Sequence, residues 1–177
     1  KLIPHMLLEG IMGYPFSCPD MIGGGQFTSF LDDAPIDQEL VVRSTQVHAL
    51  MPMMQFSVAP WRILDERHFN AVLDAVNLRN KFKETILRLA KKASTNGEPI
   101  VRSMEYVYPH KGYVDITDQF MLGNSILVAP YLSKGEGSRK VILPKGSWKS
   151  DTGKVFKGGK SITVNVPLTR LPYFIKE

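Results

Sequence analysis

At Gly97 the spacing of apolar residues changes period, and that change limits the folds open to this chain. Before it, Phe69, Val72, Leu73, Val76, Phe82, Ile86 and Leu89 recur every three or four residues, the stripe of one long amphipathic helix. Asp65 stands where an N-cap belongs and Gly97 where a helix stops. After Gly97 the apolar residues come in short runs cut by Gly and Pro, at 101–108, 125–132, 139–143, 161–166 and 171–175. In one of them Ile162, Val164 and Val166 alternate with Thr163 and Asn165, the period of a half-buried strand. A Lys-Gly-Glu-Gly turn at 134–137 is expected to pair 139–143 with the run before it. The chain thus reads as an α/β part, 1–112, followed by an all-β unit, 113–177.

The α/β part has its own order. A helix over 3–12 stops at Gly13, and an apolar stretch over 14–20, bounded by Pro and Gly, reads as a buried strand ending at Asp20. Three glycines follow, then a polar loop. Asp37 caps a helix with Leu40, Val41, Val47 and Leu50 on one side, and 53–58 reads as the next buried strand. Strand, glycine loop, helix, strand is βαβ order. Asp20 and Gln55 are then expected at the exit ends of two neighbouring parallel strands, where α/β folds place their chemistry. Two strands cannot close a barrel, so the remaining strands are expected upstream of Lys1.

Of 177 residues, 44% are hydrophobic and 22% charged, the balance of a globular protein and not of a disordered one. No apolar run approaches the ~20 residues of a membrane span. One cysteine, Cys18, excludes an internal disulfide and a multi-cysteine metal site. The net charge of +5 gathers late, in Lys134, Arg139, Lys140, Lys145, Lys149, Lys154, Lys157 and Lys160. No recognition helix or aromatic platform accompanies it, so a solvated face with lysine-blunted strand edges is expected, not a nucleic-acid partner.

The residue types that could carry chemistry gather in the α/β part. Asp20 either accepts hydrogen bonds from a polar ligand or satisfies backbone N–H groups of its own turn. Gln55 and Ser57 can read sugar hydroxyls as both donors and acceptors, and Trp61 can stack on a pyranose face or pack in a core. Glu39 and Arg43 are spaced for a helical ion pair that supports the site. The four histidines, 5, 48, 68 and 110, show no metal-ligand spacing and read as structural or exposed. Gly159, Lys160 and Ser161 imitate a phosphate loop, but strand-type sequence follows where a helix is required. No cofactor or metal is implied.

Three blocks, GYPFSCPDMIGGG, ELVVRSTQ and PMMQFS, in that order, resemble glycoside hydrolase family 31, the α-glucosidase and α-xylosidase family. Downstream, GEPIVRSMEYVYP, DQFMLGNSILVAP, VILPKGSW and VPLTRLPYF extend the resemblance to about Ile175. It implies the last strands of a (β/α)8 barrel followed by the proximal β-sandwich of a retaining glycosidase. The partners implied are a carbohydrate substrate and the rest of the same protein upstream. The catalytic Asp pair of such enzymes would belong to earlier strands, so no catalytic residue is assigned in this chain. The resemblance implies a sugar-pocket role for Asp20. It departs where the family has Phe after Gly-Gly and this chain has Gly25, and where the family's strand-eight Arg and His are Gln55 and Ser57 here. A neutral amide in place of a charged bidentate donor reads different hydroxyls, which favours α-galactosides over α-glucosides and α-xylosides.

Overall fold

Fully apolar strands need both faces covered, and the β unit of this chain is built around that requirement. The computed structural model describes residues 1–23 and 36–177. Its central layer is a six-stranded antiparallel sheet of β3 (Val101–Arg102), β4 (Phe120–Leu122), β5 (Ile126–Val128), β10 (Tyr173–Lys176), β7 (Ser147–Ser150) and β8 (Val155–Lys157), in that order. Phe120, Leu122, Ile126, Val128 and Tyr173 point to one face and join a core with Ile3, Met6, Leu50, Phe82, Ile86 and Leu89. The alternate residues Met121, Leu127, Trp148 and Phe174 point to the other face. There they meet Val141, Leu143, Val164 and Val166 of an antiparallel ribbon formed by β6 (Gly137–Leu143) and β9 (Lys160–Val166). The layers are therefore helices, sheet and ribbon.

The helical layer comprises α1 (Leu2–Ile11), α2 (Gln38–Ala49) and α3 (Glu66–Asn96). At 31 residues, α3 is ~46 Å long at 1.5 Å per residue. Its ends are set by local chemistry. The Asp65 carboxylate accepts from His68 N at 2.9 Å, and Gly97 takes φ +73°, which an L side chain disfavours. Asp37 caps α2 in the same way through Leu40 N. Between these helices, β1 (Met21–Ile22) and β2 (Gln55–Phe56) pair in parallel across α2. Among the described residues this is the one parallel pair, so those residues do not hold a complete barrel.

Two expected strands and one expected pairing are corrected. The stretch 14–20 is irregular, and pairing begins only at Met21, so Asp20 stands just before its strand instead of at the exit end. Pro15 and Pro19 have no N–H to give a ladder, and local bonds from Ser17 Oγ to Tyr14 O (2.9 Å) and Cys18 Sγ to Asp20 O (3.2 Å) satisfy the backbone instead. The run 101–108 is strand for two residues only. Ser103 Oγ then accepts from Tyr106 N at 3.0 Å and caps the short helix α4 (Met104–Val107). The 139–143 run pairs with β9 across Gly137↔Val166 to Leu143↔Lys160, because both neighbours of β5 are already taken by β4 and β10. The Gly159–Ser161 stretch leads into β9, as its strand-type sequence predicts.

The late lysines are exposed, and Lys154 precedes and Lys157 ends the edge strand β8, where charge discourages pairing with another sheet. Arg139 departs from that group. It is buried, donates to Asp118 Oδ2 at 2.9 Å and to the Pro130 carbonyl, and burial holds its guanidinium below the usual arginine range.

Candidate functional site

The short parallel pair fixes where the expected ligand-facing side chains stand. Its register is Met21↔Gln55 and Ile22↔Phe56. Ser57 closes the pair from beyond β2, donating its N–H to Ile22 O at 3.0 Å and its hydroxyl to the same oxygen at 3.2 Å. On the other strand the Asp20 carboxylate accepts from Met21 N at 2.7 Å, so it serves its own turn. That contact leaves the residue exposed, as are Gln55 and Ser57. Ile22 is wholly buried beneath them. Gln55 lies within the strand pair, Ser57 one residue beyond β2 and Asp20 one residue before β1, and the three offer an amide, a hydroxyl and an anionic acceptor, group types that bind a polyol.

Gly23 makes the closeness of the two strands possible. Its φ is +76°, and a Cβ there would come within 2.9 Å of Val58 Cγ1. Gly25 lies outside the described residues. Trp61 falls in a 3-10 turn (Pro60–Arg62) just after β2 and is 71% exposed, so the core-packing alternative does not describe it.

Two arginines support this region in different ways. Arg79 of α3 reaches the end of α2, donating from Nη1 to Ala49 O (3.1 Å) and Met51 O (2.8 Å) and from Nη2 to Pro52 O (2.9 Å). These carbonyls lie on the approach to β2. Burial holds the guanidinium below the usual arginine range, and the negative end of α2 offsets part of the cost of burying it. Arg43 forms the expected pair with Glu39, Nε to Oε1 at 3.5 Å. It is turned towards the β unit, however, with bonds to Gln46 Oε1 (3.1 Å) and Gly135 O (3.3 Å) and its guanidinium 4.9 Å from the Tyr131 ring centre. Glu39 accepts from Gly135 N, and Lys134 pairs with Asp37 at 2.9 Å, where the ammonium lowers the pKa of that exposed carboxyl. Arg43 thus ties α2 to the loop before β6 and does not join Asp20 and Gln55.

Sequence reasoning leaves Arg79 out, and it reads His48 as structural or exposed without giving it a partner. His48 is wholly buried, with Nδ1 2.7 Å from Ser44 O and Nε2 2.9 Å from Asp20 O. The first contact is the i−4 carbonyl of its own helix. The second joins residues 28 apart, and no local signal announces it. Among the described residues no three His, Cys, Asp or Glu side chains cluster as a metal site would require.

Residues 97–177 match the family model described as the glycosyl hydrolase family 31 C-terminal domain. Over 98% of its length the chain is 37% identical to the myogenesis-regulating glycosidase of Mus musculus, covering 25% of that protein. It is 33% identical, over 99% of its length, to the SITS-binding protein of Tetronarce californica, of which it covers 26%. Among solved structures it superposes on the glucose complex of a GH31 dextranase from Flavobacterium johnsoniae with a TM-score of 0.85 at 28% identity, covering 98% of this chain and 22% of that one. The chain thus spans about a quarter of the length of these curated relatives.

Proposed function

We propose that this chain is part of a retaining exo-α-glycosidase of glycosyl hydrolase family 31, the family whose C-terminal domain residues 97–177 match. In this reading 1–112 contribute the closing strands of a (β/α)8 barrel whose other strands, with the catalytic carboxylate pair, lie upstream in the longer protein. The observation that supports it is the parallel register Met21↔Gln55, with Asp20 just before β1, Gln55 within β2, Ser57 just after it and the exposed Trp61 in the turn that follows. Those four residues would line one side of the sugar pocket, and Arg43 would hold the barrel's α2 to the β-sandwich. Apolar side chains around the pair, Met21 and Met53, are nearly half exposed at 46% and 45%, as expected of strands that await neighbours.

Specificity in this reading follows from Gln55 and Ser57. An amide and a hydroxyl donate and accept, and neither carries the fixed charge of an arginine fork, so an α-galactoside is favoured over an α-glucoside or α-xyloside. The test is hydrolysis of p-nitrophenyl α-galactoside, α-glucoside and α-xyloside by the folded full-length protein. Turnover of none of these, nor of a wider α-glycoside panel, would sink the reading. The second reading is a binding protein on the same fold, and the 33% identity to a protein named for binding is what favours it. It predicts sugar affinity without turnover.

Asp20→Asn separates pocket from turn. A hydrogen bond to a charged group is worth about 1.5–3 kcal/mol, so kcat/KM should fall by about ten- to a hundredfold. Stability should scarcely move, because the amide oxygen still accepts from Met21 N. Unchanged kcat/KM would remove Asp20 from the pocket.

A further inference from the structure

We propose that His48 is a positioning residue for Asp20, holding the Asp20 main chain at the start of β1 through an imidazolium that donates from both ring nitrogens. The inference rests on the sugar-pocket reading of Asp20 for its consequence in activity, but its geometry stands apart from that reading.

A neutral imidazole has one donor and one acceptor. His48 faces two groups that can only accept, Ser44 O at 2.7 Å from Nδ1 and Asp20 O at 2.9 Å from Nε2. With a neutral ring one of those short contacts sets a lone pair against a carbonyl oxygen in a site with no water to intervene, since His48 is 0% exposed. With a doubly protonated ring both contacts become charge-assisted hydrogen bonds. His48 occupies the last turn of α2, where the helix favours positive charge. Burying a cation is costly, and the charged and titratable groups on the elements packed around this end of α2 bear on it. Ahead of β1 these are the Asp20 carboxyl and the Cys18 thiol, which itself donates to Asp20 O at 3.2 Å. From α3 comes Arg79, whose own charge is spread over the carbonyls of 49, 51 and 52.

The consequence lies in where Asp20 stands. It immediately precedes the paired residues of β1, after an irregular approach with two prolines. At this edge of the ladder its carbonyl takes contacts from Cys18 Sγ and His48 Nε2, and the one from His48 joins it to a helix. The orientation of the carboxylate, held locally by Met21 N, then follows the orientation of the carbonyl that His48 grips.

Two measurements on the full-length protein test this. Neutron diffraction from deuterium-exchanged crystals should show deuterons on both ring nitrogens of His48, and a single deuteron would overturn the double-donor clamp. A double-mutant cycle with Asp20→Asn, read as kcat/KM on the p-nitrophenyl α-glycoside turned over fastest, tests the coupling. His48→Gln keeps one donor and should lower kcat/KM about tenfold in the native background, since small misplacements of a binding group carry losses of this order. In the Asp20→Asn background the same change should cost less than twofold. His48→Ala should lose more, and His48→Gln keeps the test open if the alanine variant does not fold. Equal losses in both backgrounds would make His48 a general support of the fold and would overturn the positioning role. If Asp20→Asn alone leaves kcat/KM unchanged, the pocket reading of Asp20 falls and the positioning role with it, while the neutron map still decides the state of the ring.

Discussion

Replacing Arg79 by methionine is expected to destabilise the fold by about 3–5 kcal/mol, since each buried carbonyl left without a donor costs about 1–3 kcal/mol. Three such carbonyls, Ala49, Met51 and Pro52, lose their donor at once. They close α2 and begin the chain's path to β2, so no regular ladder can take over their bonds. Methionine keeps much of the apolar stem and removes the fork, which isolates the polar contribution from packing. Lysine should recover part of the loss, because it restores the charge at the helix end but not three directed donors. Equilibrium unfolding in guanidinium chloride, followed by circular dichroism, measures this as a lower midpoint at constant slope. A loss below about 1 kcal/mol would mean that water reaches these carbonyls and that Arg79 is a surface residue in effect.

Gly158→Ala should be comparably severe for a different reason. The Trp148 indole is wholly buried, at the centre of the second core, and donates to Pro144 O at 2.8 Å. Gly158 crosses that hydrogen bond with its N–H 2.7 Å from Gly146 O. A Cβ there would fall 1.8 Å from Pro144 O and 2.9 Å from Trp148 Nε1. Both are groups that cannot swing aside, one being backbone and the other held in the core. Overpacking costs about 1–3 kcal/mol, and breaking the indole bond adds about 1–3 kcal/mol. Gly153→Ala is the control. Its φ is +83° but nothing lies within 4 Å of an added Cβ, so it should cost only about 1–2 kcal/mol for the left-handed backbone. If the two variants lose equal stability, the clash at Gly158 is not what requires glycine there.

The parts of the fold legible in the sequence are those fixed by neighbours in the chain. The Asp37 and Asp65 caps, the stop at Gly97 and the Glu39–Arg43 pair each depend on residues within one or two turns. The βαβ order around α2 was readable because strand, helix and strand follow one another in sequence. The strands β4, β7 and β8 were not, being three or four residues long and polar or continuous in pattern according to which faces are covered. The stretch 14–20 was misread because its apolar composition resembles a strand, while its two prolines forbid the ladder.

In the candidate site the sequence singles out Asp20, Gln55, Ser57 and Trp61 by type and order, and the structure shows all four exposed, Asp20 just before β1, Gln55 in β2, Ser57 just beyond it and Trp61 in the turn that follows. It did not reveal that Arg43 faces away towards Tyr131, nor that His48 meets the Asp20 carbonyl. What the sequence by itself determined is therefore the helices α1, α2 and α3 and their ends, since capping and periodicity act over a few residues. The tertiary structure alone decided that β6 pairs with β9, that one sheet serves two cores, and that α2 and α3 close over the start of β1 and the approach to β2. Those outcomes depend on which donors, acceptors and apolar faces remain unmatched after the local elements form, and their partners lie tens of residues away.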